Sequence, residues 1–157
     1  MNHAMVIWSE CAVDFAGDGS LRDIYVLDGG LDAWDVILGI ARQVEARFSI
    51  DGVTRPLPEK AQDVFAESAA GAALLSIEWQ GIQLAAHFFD QADVELDFVP
   101  SALQGQQSLD ELCSFLRELA VGTNRDVIVT PENWPQSPIL RAWPTGEIGY
   151  EAPSDTA

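Results

Sequence analysis

Three successive runs of strand length occupy the middle of the chain: Ala72 to Trp79, Gly81 to Phe89 and Val94 to Val99. They read as an antiparallel meander, with Gln80-Gly81 as a tight turn between the first two. In the last run Val94, Leu96 and Phe98 alternate with Asp93, Glu95 and Asp97. Successive strand side chains point to opposite faces, so the apolar set turns to a core and the acids line the other side. The fold must therefore contain a sheet with one apolar face, and helices are needed to cover it.

Two segments supply them. Trp34, Ile37, Leu38 and Ala41 recur at helical spacing. Asp32 is placed to cap that helix, Asp35 suits its positive end, and Leu31 can staple against Val36. Further on, Ser108-Leu109-Asp110-Glu111 matches a capping box. Leu109, Leu112, Cys113, Leu116 and Leu119 form the apolar stripe of this second helix, and Gly122 is placed to end it. Pro58 opens a short third helix running through Phe65. Strands are expected at Met5 to Val13, Leu21 to Leu27, Val44 to Ile50, Asp126 to Thr130 and Ile139 to Trp143. In the second of these, Ile24 and Val26 share one face, and Tyr25 and Leu27 the other. Turns fall at Gly17 to Ser20 and at Asp51-Gly52. Strand, helix and strand recur around Leu31-Asp32 and Leu109-Asp110, an echo that shared periodicity alone also produces. The expectation is one α+β domain over residues 1–150, a mainly antiparallel sheet packed by two principal helices and one short one. The polar stretch Glu151 to Ala157 reads as a flexible tail.

Charge narrows the function more than any motif does. The chain has 157 residues, 48% of them hydrophobic, which suits a packed core. It carries 25 Asp and Glu against 8 Lys and Arg, a formal charge of -17. Nucleic-acid binding depends on Lys and Arg neutralising phosphates, and the single lysine, Lys60, with dispersed arginines does not provide that. No apolar run approaches the ~20 residues that span a bilayer, and the N-terminus lacks the basic start of a signal peptide. Cys11 and Cys113 read as reduced, buried thiols of a cytoplasmic protein. No metal or other cofactor is expected: His3 lies near the terminus, His87 sits in an apolar strand, and the acids from Asp90 to Asp97 lack EF-hand spacing. Ser9, Ser76 and Ser137 lack nucleophile-elbow surroundings, and Gly29-Gly30 is an ordinary strand-to-helix turn. A Cys113–His87 dyad is disfavoured because Cys113 falls on an apolar helix face.

Two features are candidates for recognition. Asp93, Glu95 and Asp97, with Asp90 beside them, form either a solvated strand face that resists edge aggregation or a docking surface for a basic partner. Asp14, Asp18, Asp23 and Asp28 can extend it. The segment from Thr130 to Pro144 has four prolines and holds Trp134 and Trp143. Trp134 on that loop is either a cover for the sheet edge or an interface anchor.

Taken together, Gly19-Ser20-Leu21-Arg22-Asp23-Ile24-Tyr25-Val26, His87-Phe88-Phe89 and Thr130-Pro131-Glu132-Asn133 resemble segments of small acidic bacterial immunity proteins of polymorphic and contact-dependent toxin systems. The resemblance implies a non-enzymatic inhibitor that occludes the active site of a cognate, basic toxin domain. It supplies no catalytic residues. A carboxylate-dependent hydrolase and an adaptor or secretion chaperone for a basic cargo are the alternatives. Nothing in the sequence excludes a homodimer.

Overall fold

A computed structural model describes residues 5–68 and 71–151. The expected α+β architecture is present: one nine-stranded sheet, antiparallel at every pairing, with helices against one face. In chain order the elements are α1 (Trp8–Cys11), β1 (Arg22–Val26), α2 (Gly30–Ala41), β2 (Glu45–Ile50), β3 (Val53–Arg55) and α3 (Ala61–Glu67). There follow β4 (Ala73–Trp79), β5 (Ile82–His87), β6 (Val94–Phe98), α4 (Gln106–Thr123), β7 (Val127–Pro131), β8 (Leu140–Ala142) and β9 (Ile148–Tyr150). The strand order is β3-β2-β4-β5-β6-β1-β7-β8-β9. The β4-β5-β6 meander is as read from alternation. Gln80 and Gly81 both adopt positive φ, 49° and 86°, the conformation a two-residue hairpin turn requires.

The core lies between the sheet and the helices. Trp34, Ile37 and Leu38 of α2 and Leu112, Leu116 and Leu119 of α4 are fully buried in one cluster with Ile24, Leu75, Leu84, Leu96 and Val129 from the strands. The helical stripes were thus assigned to the correct face. Their ends were not. Gly29, not Asp32, is the N-cap residue of α2, and Asp32 sits in the first turn. Asp35 serves a different helix, its Oδ1 accepting the Ala61 amide at the start of α3, three residues after Pro58. In α4 the expected capping box does not form. The helix begins at Gln106, and Ser108 Oγ accepts from the Gln104 amide and donates to the Gly105 carbonyl.

Gly122 does not end α4 either; Asn124, at φ 54°, does. Gly122 lies where α4 crosses α2, and a Cβ there would meet Val36 Cγ1 at 2.9 Å. Glycine permits this approach. Gly122→Leu should therefore cost about 1–3 kcal/mol through overpacking, despite leucine's better helix propensity. Chemical denaturation measures it, and an unchanged or higher stability would show that the helices part freely.

The largest correction concerns the N-terminal segment. Met5 to Val13 is not a strand. Trp8–Cys11 is helical and runs into a 3-10 turn at Ala12–Phe15. Its polar backbone is satisfied by a side chain instead of a sheet: Gln106 Oε1 accepts from the Trp8 amide, and its Nε2 donates to the Val6 carbonyl. Cys11 and Phe15 enter the core, and Phe15 stacks between Trp8 and Phe98 at 6.3 Å from each. Met5 and Val13 stay exposed. The two short strands at the sheet edges, β3 and β9, had no counterpart in the sequence reading.

Candidate acidic docking face

The helices seal only one side of the sheet. On the other, cross-strand register lines up His87, Glu95, Tyr25, Ile128 and Arg141 in one row. The neighbouring row carries Ala85, Asp97, Asp23 and Thr130. Strand alternation places these groups opposite the core residues Leu96, Ile24 and Val129, so the acids of β6 and β1 share the face the helices leave uncovered.

These groups form a hydrogen-bonded network. His87 Nε2 and Asp97 Oδ2 are 2.7 Å apart across β5 and β6. The Tyr25 hydroxyl donates to Asp23 Oδ2 at 2.9 Å and also lies against Glu95. Asp23 is only 3% exposed, because the turn after β7 folds over it and the Asn133 amide donates to the same oxygen at 2.7 Å. Burial pushes the carboxyls of Asp23 and Glu95 above their usual range and also raises the Tyr25 phenol. His87 is also raised, by its bond to Asp97 and against the opposing pull of burial.

Beside this network the face opens into a cleft of about 590 Å³, walled by Arg47, Ser49, Asp51, Leu74, His87 and Phe89. Phe89 is 74% exposed and stacks on His87, ring centroids 5.0 Å apart and planes 9° from parallel. Its loop is firmly seated, since Trp34 Nε1 donates to the Asp90 carbonyl and the Gly30 amide to the Ala92 carbonyl.

Asp93, Glu95 and Asp97 run along β6 on this face, with Asp90 in the loop before it, but they are in different states. Asp90 is exposed and its Oδ1 accepts the Ala92 amide. Asp93 Oδ1 accepts the Asp28 amide, holding the turn between β1 and α2. Glu95 and Asp97 are half-buried and engaged with Tyr25 and His87. The fully solvated row expected from alternation is therefore partly inset. Of the residues expected to extend it, Asp23 lies in the row but is buried beneath the turn after β7, and Asp28 meets the row through its amide on Asp93. Asp14 lies behind the sheet, accepting from the Tyr150 hydroxyl at 2.5 Å, and Asp18 is tied to Ser20. Trp134 is half-buried in the turn over Asp23, on the far side of β1 from Phe89. His87, Tyr25 and Phe89 were missed as members of the face. Alternation through His87 and Phe89, two residues apart in β5 and its extension, was the available signal.

Other chemistry finds less support. Cys113 lies in the helix layer with its thiol pushed up to about 12 by burial, and Cys11 is raised to about 11. The sheet separates Cys113 from His87. Among the described residues, no group of three His, Cys, Asp or Glu is placed to hold a metal ion, and no helix is long and apolar enough to cross a membrane. No protein-family model, curated protein or solved structure matches the chain.

Proposed function

We propose that the chain is a non-catalytic binding protein whose uncovered sheet face docks a basic protein, in the manner of an immunity protein occluding a toxin domain. One observation carries this reading: the carboxylates of β1 and β6 share a helix-free face with an exposed aromatic ring, Phe89, in a chain of net charge -17. Such a face draws a cationic surface toward it by long-range attraction, and the ring supplies a desolvated anchor once contact is made. The toxin identity of the partner follows from the sequence resemblance. A hydrolase is the weaker reading, because Asp23, Glu95 and Asp97 are each engaged with Asn133, Tyr25 or His87.

The test replaces charge without volume. Reversal to Lys would set a second cation against His87, so the variant is Asp93→Asn, Glu95→Gln and Asp97→Asn together, with Phe89→Ala made separately. A basic toxin domain captured by the natural chain should associate with the triple variant about tenfold more slowly at low salt, and with a shallower salt dependence. Phe89→Ala should instead speed dissociation, with a loss of about 2 kcal/mol. A captured partner whose rates and salt slope are the same for all three proteins would place the interface elsewhere, with the Trp134 turn the next face to probe.

A further inference from the structure

We propose that His87 makes this docking proton-linked: protonated, its ring holds Asp97 in place of a partner's cation, and an arginine docking on Asp97 expels that proton to solvent. The inference rests on the docking reading and adds to it the chemistry of the docking group. The geometry is competitive. His87 Nε2 occupies Asp97 Oδ2 at 2.7 Å, whereas a guanidinium engages a carboxylate through both oxygens at once. An incoming arginine fork therefore contends with the imidazole for the same atom. Phe89 flanks His87 on the side away from Asp97, its free face open to a further guanidinium of the same basic surface, and guanidinium planes stack well on such rings.

The surroundings fix the sign. Facing His87 are Asp97 and Glu95 on β6, the latter directly opposite it, and beyond them Asp23 and Tyr25 on β1. From the other side come the uncharged Leu74 opposite on β4, with Arg47 of β2 and Asp51 across the cleft. Carboxylates outnumber the one cation, so a proton on His87 is welcome while the face is empty. A docked guanidinium reverses that balance. Affinity for an arginine-bearing surface then rises with pH as the ring loses its proton.

The experiment follows the His87 ring by NMR through a pH titration of the full chain, alone and with nona-arginine, with nona-lysine as comparison. His87→Gln assigns the signal. In the free chain the midpoint should lie above the ordinary 6.5, and Asp97→Asn should lower it. Nona-arginine should lower the midpoint by about half a unit to one unit, equivalent to a roughly three- to tenfold gain in affinity across the transition. Nona-lysine should lower it less, and the peptide effect should vanish in Asp97→Asn. A free-chain midpoint at or below 6.5 overturns the proposal whatever the peptides do. So does nona-arginine that perturbs Glu95 and Phe89 without moving the midpoint, an outcome that leaves the docking reading standing. Equal displacement by both peptides overturns the guanidinium assignment. If neither peptide binds at any pH while the free midpoint stays raised, the docking reading itself fails and the linkage with it.

Discussion

Trp34→Ala should lower the free energy of unfolding by about 3–5 kcal/mol, a large part of the 5–15 kcal/mol that typically holds a domain. Trp34 is fully buried, stacks on Phe88 with centroids 4.3 Å apart, and meets the edge of Phe65 at 5.7 Å. Truncation leaves a cavity between the rings of Phe65 from α3 and Phe88 at the end of β5, and rigid rings close over a void poorly. Urea denaturation should show a lower midpoint with the slope unchanged. Trp34→Phe separates packing from polarity. It retains a ring but loses the bond from Nε1 to the Asp90 carbonyl, so about 1 kcal/mol should go, together with the seating of the loop that carries Phe89 and Asp90. A loss below about 1 kcal/mol for the alanine variant would mean that α2 does not hold the sheet as described.

The sheet was legible where each strand carried its own alternation. Val94, Leu96 and Phe98 bury on the predicted phase, and Leu75 with Ile77 and Ile82 with Leu84 keep the same alternation, because a half-covered antiparallel sheet writes a period of two into the chain. The helical stripes were legible for the matching reason. Helix ends were not, because capping residues were inferred from local spacing, and here the orphan amides are met from afar. Asp35 serves the helix after its own, and Gln106 serves the N-terminal segment. Met5 to Val13 misled because β-prone residues sit there in a stretch with no strand to pair with; a glutamine side chain from α4 takes the place of a neighbouring strand. The edge strands β3 and β9 have three residues each, too few for any periodicity to declare itself.

The acidic row was readable as a row, but its depth was not. Alternation says which way Glu95 and Asp97 point, while register says what they meet: His87 from β5 and Tyr25 and Asp23 from β1. Register across β1 is a long-range property, since that strand enters the sheet between β6 and β7, some 70 and 100 residues away in the chain. No local pattern in Arg22 to Val26 foretells those neighbours. All five residues of β1 are buried, which makes it an interior strand carrying a carboxylate. That carboxylate has consequences for stability.

From about pH 4 to pH 8 the chain should lose stability as pH rises, and its melting midpoint should fall. Asp23 and Glu95 are both raised, first by burial, and His87 by its bond to Asp97. All three have the same sign. A group whose folded value lies above its unfolded value contributes fully below the unfolded value, and that contribution disappears as pH climbs through the folded one. For the carboxyls the loss begins above their ordinary 3.8 and 4.5, and for His87 above 6.5. Asp18 is shifted the other way, by the Ser20 hydroxyl, and acts below this window. Asp23→Asn should raise the midpoint at pH 8 and flatten the acid side of the profile, because an amide oxygen still accepts from Tyr25 and Asn133 without burying a charge. His87→Gln should remove the fall above pH 6.5 and leave the rest. A midpoint that instead rises steadily to pH 8, with Asp23→Asn destabilising, would show that the hydrogen bonds outweigh desolvation and that the carboxylate stabilises the fold. In the predicted case the ionised acids on the uncovered face weaken the free protein near neutral pH. A docked cation would reverse that, so a bound basic partner should raise the midpoint more at pH 8 than at pH 6, opposite to the free chain's own slope.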